Sequence, residues 1–398
     1  MACAIHCARH FGKGSVILVE KQSRPGRKLL AAGNGRCNIS NEDLSLSHYH
    51  GEAALYTSVL ERFPLEKALD FFQSLGLVLR ADEAGRLYPY SNRGSSVFGR
   101  LQAELERLQV ELLLDHPVSA IQKQKNGFRL ISETDTILAQ YVVLCCGSKA
   151  CPSLGADDSV LTLLKPFSIR YSPFFPSLSP IMTLEKHKML KGVRAAGKVW
   201  VTADGKALPA KEGEIQFTET GLSGICVFEI SRLVHEYLTF GTVRGKEIHS
   251  LKVTADVVPD MSFQQLNEYL KSCRKLFCYE PADRLFSGLL PEKLSEYIAA
   301  GCKIQQRSCG ELGDGTIKKM ASQAKTMSFT PIPFEAFSQA QVCAGGLGSD
   351  EVDPRTLMLR KIPGLFACGE LLNVDGDCGG YNLHFAFGSA SIPVKFMK

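Results

Sequence analysis

The chain has 398 residues, 45% of them hydrophobic and 22% charged, with a formal net charge of +5. That balance belongs to a globular chain long enough for two or three domains. Its basic residues are spread out, which argues against a dedicated nucleic-acid binder. No uninterrupted apolar stretch approaches the roughly 18–20 residues of a membrane-spanning helix, and the first residues lack the pattern of a secretory signal. The expected setting is therefore the cytoplasm, away from a membrane.

Fourteen cysteines occur, but no pair has C-x-x-C spacing, so zinc-ribbon and thioredoxin-like readings fail. A chain this large and core-rich needs no disulfide staples. The cysteines read as reduced core thiols, Cys145 and Cys146 among them.

In chain order, the first ten residues predict a short helix with Ile5 and Ala8 on one side and His6 and Arg9 on the other. A Gly-Lys-Gly turn follows at 12–14. Residues 15–20 form an apolar run ending in Glu20, the look of a strand buried on both faces of a parallel sheet. Helix, turn and strand are the last two-thirds of a βαβ unit. Residues 26–38 form a glycine-rich basic loop, 53–75 a helical stretch, 85–93 a run of turn residues, and 97–108 another helix. Strands are expected at 110–114, 128–131 and 141–146, the last ending at Gly147.

From about Thr183 the texture changes. Short alternating segments near 197–202 and 214–218 suggest a small antiparallel β subdomain, and 262–279 and 291–300 carry helical periodicity. After Gln341 the earlier style returns, with 364–370 a strand running into a loop. No repeats or low-complexity segments occur.

Three places carry chemistry. In a dinucleotide fold an acid such as Glu20 at the end of the second strand accepts hydrogen bonds from ribose hydroxyls; alone it is a weak signal. The loop 26–38 is more specific. Its glycines let backbone approach a ligand. Arg27, Lys28 and Arg36 supply charge for a pyrophosphate, and Asn38 offers a donor and an acceptor. The competing readings are a solvated surface turn or a contact to nucleic-acid phosphates. The third is 369–386, where Glu370 follows a buried strand and Gly379 and Gly380 open a helix. A bare helix N-terminus can set N–H groups against the O2 and N1 side of a flavin.

The motifs Gly33-Asn-Gly-Arg-Cys-Asn38 and Val374-Asp-Gly-Asp-Cys-Gly-Gly-Tyr-Asn-Leu383 resemble the signatures of the BaiN-like (YhiN) family of FAD-dependent oxidoreductases. Phe217-Thr-Glu-Thr-Gly-Leu-Ser-Gly224, Gly288-Leu-Leu-Pro291 and Gln341-Val-Cys-Ala-Gly-Gly346 match the same pattern, so the likeness runs end to end. It implies an α/β fold: a Rossmann-type FAD-binding domain at 1–183 and 336–398, an inserted β subdomain at 184–257 with part of 326–335, and a helical cap at 258–325. It implies that Glu20 binds the adenosine ribose, and that Arg27, Lys28 and Arg36 lie near the pyrophosphate. Asn38 would face the flavin, the backbone of Val118 the adenine, and Gly147 would close the strand beneath the cofactor. Glu370, Asp375, Gly380, Tyr381, Asn382 and Leu383 would line the ribityl chain and ring.

The chain departs from the family at three points. The family opens with a strand and a glycine-rich loop, so the expectation is that the coding sequence starts upstream of Met1. Cys145-Cys-Gly-Ser148 stands where Ala-Thr-Gly-Gly is usual. Pro393 stands where the last helix would continue, which proline breaks.

The expected activity is hydride transfer through FAD to or from a small organic substrate, with reduction of an activated C=C bond as the leading case. NADH or NADPH is the candidate electron donor. The competing readings are a flavin-binding protein without turnover and a nucleic-acid-associated protein. No metal site and no oligomeric state are assigned. No proton donor is assigned either: His384, Tyr381, His48 and Tyr49 read as packing or surface residues, and Cys37 and Cys378 as small residues beside a cofactor.

Overall fold

The computed structural model describes residues 1–304 and 307–398. They form two compact units, Met1–Phe174 with Gln341–Lys398, and Phe175–Ala340.

The first unit opens with the helix Ala2–Phe11, which buries Ile5 and Ala8. The strand Ile17–Val19 pairs in parallel with Glu111–Leu113, and Val142–Leu144 pairs in parallel with Leu365–Ala367. Burial of residues 15–20 on both faces is not what the structure shows: Ile17 is 40% exposed. Its strand is hydrogen-bonded to a neighbour on one side only, so the apolar run signals strand but not depth. Cys145 and Cys146 are likewise exposed, because their strand ends at Leu144 and the chain turns at Gly147, φ 75°. All fourteen cysteines are free thiols.

The stretch 53–75 is two helices, Ala53–Arg62 and Leu65–Ser74. Pro64 separates them, since proline disfavours helical backbone at the residue before it. Part of 85–93 is a strand: Arg86–Pro89 lies between Ser40–Asn41 and Leu79–Ala81. The basic loop contains a five-residue helix, Arg27–Ala31, entered through Gly26 at φ 74°. A Cβ on Gly26 would lie 2.7 Å from the Phe98 ring, so glycine is required both by conformation and by space. The helix Gly94–Arg107 and a three-stranded antiparallel ladder, Ala120–Gln124, Gly127–Ile131 and Thr136–Ala139, complete this part. Tyr49–Gly51 pairs antiparallel with Val374–Gly376. Two apolar clusters form the core, one around Phe128, Leu365 and Leu371, the other around Ile5, Phe72 and Leu101.

The second unit is built on a seven-stranded antiparallel sheet. Its longest strand, Arg194–Ala203, buries alternate residues from Ala195 to Ala203, the period-two pattern of a sheet with one face on a core. The helices Ile225–Phe240, Phe263–Leu276, Glu292–Gly301 and Asp314–Lys325 share one apolar cluster with that sheet, including Phe217, Leu266, Ile298 and Phe329. Among the described residues no helix is long and apolar enough to cross a membrane.

Candidate functional site

Both ends of the first unit meet at one place. Lys28, on the five-residue helix, forms an ion pair with Glu370, on the turn that follows Leu365–Ala367. The other oxygen of Glu370 accepts the N–H of Cys343 at 3.0 Å. Glu20 accepts the N–H of Gln22 at 2.9 Å, and the amide oxygen of Gln22 accepts from Arg27 at 2.8 Å. Arg27 also donates to the Ser153 carbonyl at 2.9 Å. Glu20 and Arg27 thus share one hydrogen-bond chain. The N–H of His116 donates to the Glu20 carbonyl at 3.0 Å, which brings the connection carrying half-buried Val118 alongside. Arg36 is engaged elsewhere, its guanidinium 4.8 Å over the Tyr88 ring.

The second half of the site is a glycine cradle. Gly380, φ 100°, caps the helix Tyr381–Ala390. A Cβ there would lie 2.3 Å from the Ser40 carbonyl oxygen and 2.7 Å from Asn38 Oδ1. Asn41 donates to the Gly379 carbonyl at 3.0 Å. The late glycine pair is therefore seated on the segment that ends the early basic loop. Asn38 Oδ1 is buried and has no hydrogen-bond partner; a buried acceptor left unpaired costs about 1–3 kcal/mol, which a ligand N–H would recover. Within the helix the first ladder bond runs from His384 N to Gly380 O, so the N–H groups of Asn382 and Leu383 have no intrahelical acceptor. They sit at the positive end of the helix dipole.

The remaining residues divide into those turned toward backbone and those that are buried. The Asn382 side chain accepts from Gly376 N and donates to Gly376 O, both at 2.8 Å, so it braces the turn. Asp375 is buried on Val374–Gly376, and the Leu383 side chain is half-buried. Tyr381 is buried and stacks on His48, centroids 4.4 Å apart. Tyr49 is buried. Burial pushes the Cys37 thiol up to about 12, so it is no ready redox thiolate. Cys378 is half-exposed.

His384 is a packing residue. Its Nε2 lies 2.9 Å from the Phe63 carbonyl and its Nδ1 2.8 Å from the Ser40 hydroxyl. A carbonyl only accepts, so Nε2 carries a proton, and a neutral ring then leaves Nδ1 to accept from Ser40. Burial lowers its pKa to about 4.

In a third group, only His48 was weighed from the sequence, where it read as a packing or surface residue. His48 lies between Asp377 and Asp43, and His50 reaches Asp377 as well. Neither spacing nor composition links residues 43–50 to 377. The only available hint was the acidic Asp375-Gly-Asp377 ahead of the glycine pair.

The residue types present fit a flavin dinucleotide: an acid able to accept from ribose hydroxyls, cations for a pyrophosphate, and a bare helix start for a ring. A family model described as "HI0933-like protein Rossmann domain" matches residues 1–395. The chain belongs to that family. It is an FAD-dependent oxidoreductase with a Rossmann-type cofactor fold. Among its relatives is the 3-dehydro-bile acid delta(4,6)-reductase of Clostridium scindens, 36% identical over 395 residues, 97% of this chain and 93% of that one. The ribosomal RNA dihydrouridine synthases of Escherichia coli and Haemophilus influenzae are 26% and 24% identical, each across 98% of this chain and 94% of their own.

Proposed function

We propose that this enzyme reduces an activated carbon–carbon double bond in a small, largely apolar substrate, drawing electrons from NADH or NADPH through FAD. One observation carries the reading. The early loop and the late glycine turn close on each other, leaving the buried Asn38 Oδ1 unpaired beside a helix start. In this reading Glu20, with the Val118 backbone nearby, takes the adenosine. Arg27 and Lys28 take the pyrophosphate, and Gly147 underlies it. Asn38, Glu370, Asp375 and the backbone of Gly380, Tyr381, Asn382 and Leu383 hold the ribityl chain and ring. Arg36, held on Tyr88, contributes charge at longer range. FAD supplies the two-electron carrier; the protein supplies position and charge. The name of the 36% identical relative supports an unsaturated ketone of steroid type as the substrate class.

The test is spectroscopic. Purified protein supplemented with FAD is expected to retain the flavin absorption bands after gel filtration, and NADH or NADPH is expected to bleach them under anaerobic conditions. Renewed colour on adding a 3-oxo-4,6-diene steroid acid identifies the acceptor class. Protein that keeps FAD but passes no electrons to the steroid contradicts the substrate assignment.

A second reading is favoured by the two relatives at 26% and 24% identity. There the reduced double bond belongs to a uracil ring in RNA. Arg36 over Tyr88 and Arg80 over Tyr90 offer cation-bearing aromatic rings. This reading predicts RNA binding that collapses with salt and dihydrouridine in an RNA substrate, with no steroid turnover.

A further inference from the structure

Asp43, His48, His50 and Asp377 form a cluster to which the proposed cofactor contacts assign no role. His48 Nδ1 faces Asp377 Oδ2 at 3.2 Å, and His48 Nε2 faces Asp43 Oδ2 at 3.2 Å. His50 Nε2 faces the remaining oxygen of Asp377 at 2.9 Å. An ionised carboxylate can only accept a hydrogen bond. His48 therefore satisfies both neighbours only with a proton on each ring nitrogen. Among the described residues no group of histidine, cysteine and acids has the geometry to hold a metal ion.

The two acids are not equivalent. The Asp377 side chain is 7% exposed and that of Asp43 is 64% exposed. Nδ1 is thus fixed by a buried acid, while Nε2 is held by one that water can replace. An imidazole that works as an acid needs this division: the buried carboxylate orients the ring and stabilises its charged form, and the outer nitrogen changes partners. The ring is also placed. It stacks on Tyr381 at an interplanar angle of 15°, and its carbonyl accepts the N–H of Asp377 at 2.9 Å. Tyr381 opens the helix of the glycine cradle, and Asp377 precedes Gly380 by three positions. The ionisable groups around His48 are Asp43, Asp377 and Tyr381, with His50 beyond Asp377 and Tyr49 beyond Tyr381.

We propose that His48 is the acid that protonates the substrate, with Asp377 as its positioning residue and His50 sharing that carboxylate. The assignment rests on the proposed double-bond reduction. One carbon of the double bond would take a hydride, with its two electrons, supplied by FAD when bound and reduced. The other takes the proton from Nε2 of His48 as that N–H bond breaks. His48 is left neutral, its Nδ1–H still donated to Asp377, and is reprotonated from water on the Asp43 side.

The experiment is anaerobic stopped-flow on FAD-loaded protein reduced with dithionite. Reduced enzyme is mixed either with a 3-oxo-4,6-diene steroid acid, which needs a proton on carbon, or with ferricyanide, which takes electrons only. His48→Gln is expected to slow reoxidation by the steroid about 100-fold or more, the usual worth of a positioned acid, and to leave ferricyanide reoxidation within about twofold. Asp377→Asn is expected to slow the steroid reaction alone and to move the alkaline limb of its pH profile, where an acid loses its proton, to lower pH. Equal steroid rates in wild type and His48→Gln overturn the proton assignment and leave the proposed function standing. Parallel losses with both acceptors also overturn it, since His48 would then serve the flavin itself. A wild type that ferricyanide reoxidises and the steroid does not defeats the substrate reading, and this assignment with it. A readout independent of turnover is nitrogen-15 NMR of the FAD-free wild type, which also serves if His48→Gln does not fold. His48 Nδ1 is expected to carry a hydrogen-bonded proton, and an Nδ1 without one overturns the proposal.

Discussion

Gly380 shows how much one missing side chain can decide. At φ 100°, with Ser40 O and Asn38 Oδ1 at 2.3 and 2.7 Å from where a Cβ would stand, the position tolerates no larger residue. Gly380→Ala should cost about 2 kcal/mol or more from backbone strain alone. It should also push Asn38 out of line, so calorimetry is expected to show a lower melting temperature and gel filtration a loss of bound FAD. His384 makes a prediction about pH. Burial holds its folded pKa near 4, against 6.5 in an unfolded chain. Between those values the unfolded state binds the extra proton, so stability is full above about pH 6.5 and declines as pH falls toward 4. The difference of 2.5 in pKa corresponds to about 3 kcal/mol. Denaturant unfolding at pH 7 and pH 4.5 should show a drop of that order, and His384→Gln should flatten it. A pH-independent midpoint in the wild type would contradict the buried neutral ring.

Among the elements, the helix Phe263–Leu276 was legible from its periodicity, and its start is also fixed locally. Ser262 accepts from Gln265 N at 3.2 Å, and Gln265 Oε1 accepts from Ser262 N at 2.8 Å, a reciprocal box. Ser262→Ala is expected to cost about 1 kcal/mol, measurable as a shift in the urea midpoint with unchanged slope. The glycine signals were legible for a similar reason: Gly33, Gly379 and Gly380 occupy positive φ, a demand that falls on the residue itself. Depth was not. Ile17 and Cys145 sit in apolar runs, yet exposure depends on which strands flank them, and flanking is a property of chain segments far apart. The pairing of Tyr49–Gly51 with Val374–Gly376 joins residues more than 300 positions apart and leaves no periodic trace. The His48–Asp377 contact follows from that pairing, which is why His48 read as a surface residue in the sequence.

For the whole molecule, the central proposal is that one cofactor joins the two ends of the first unit. A ligand that binds only the folded state stabilises it by mass action, about 2.7 kcal/mol at 100 times its Kd. FAD is therefore expected to raise the unfolding midpoint in a concentration-dependent way. Exchanging Lys28 for Met should weaken that rise, since the cation proposed for the pyrophosphate is lost. A midpoint indifferent to Lys28 would place the phosphates elsewhere. The family resemblance was carried by motifs at both ends, and in the proposed site both are needed: the early segment would supply charge and the Asn38 acceptor, the late one the glycines and helix start.

Hydrogen–deuterium exchange of the intact protein, with and without FAD, tests that statement most directly. Peptides covering 26–41 and 369–384 are expected to become protected together, at the same FAD concentration. Protection confined to one of them, or absent from both, would contradict a single site built from the two ends of the chain.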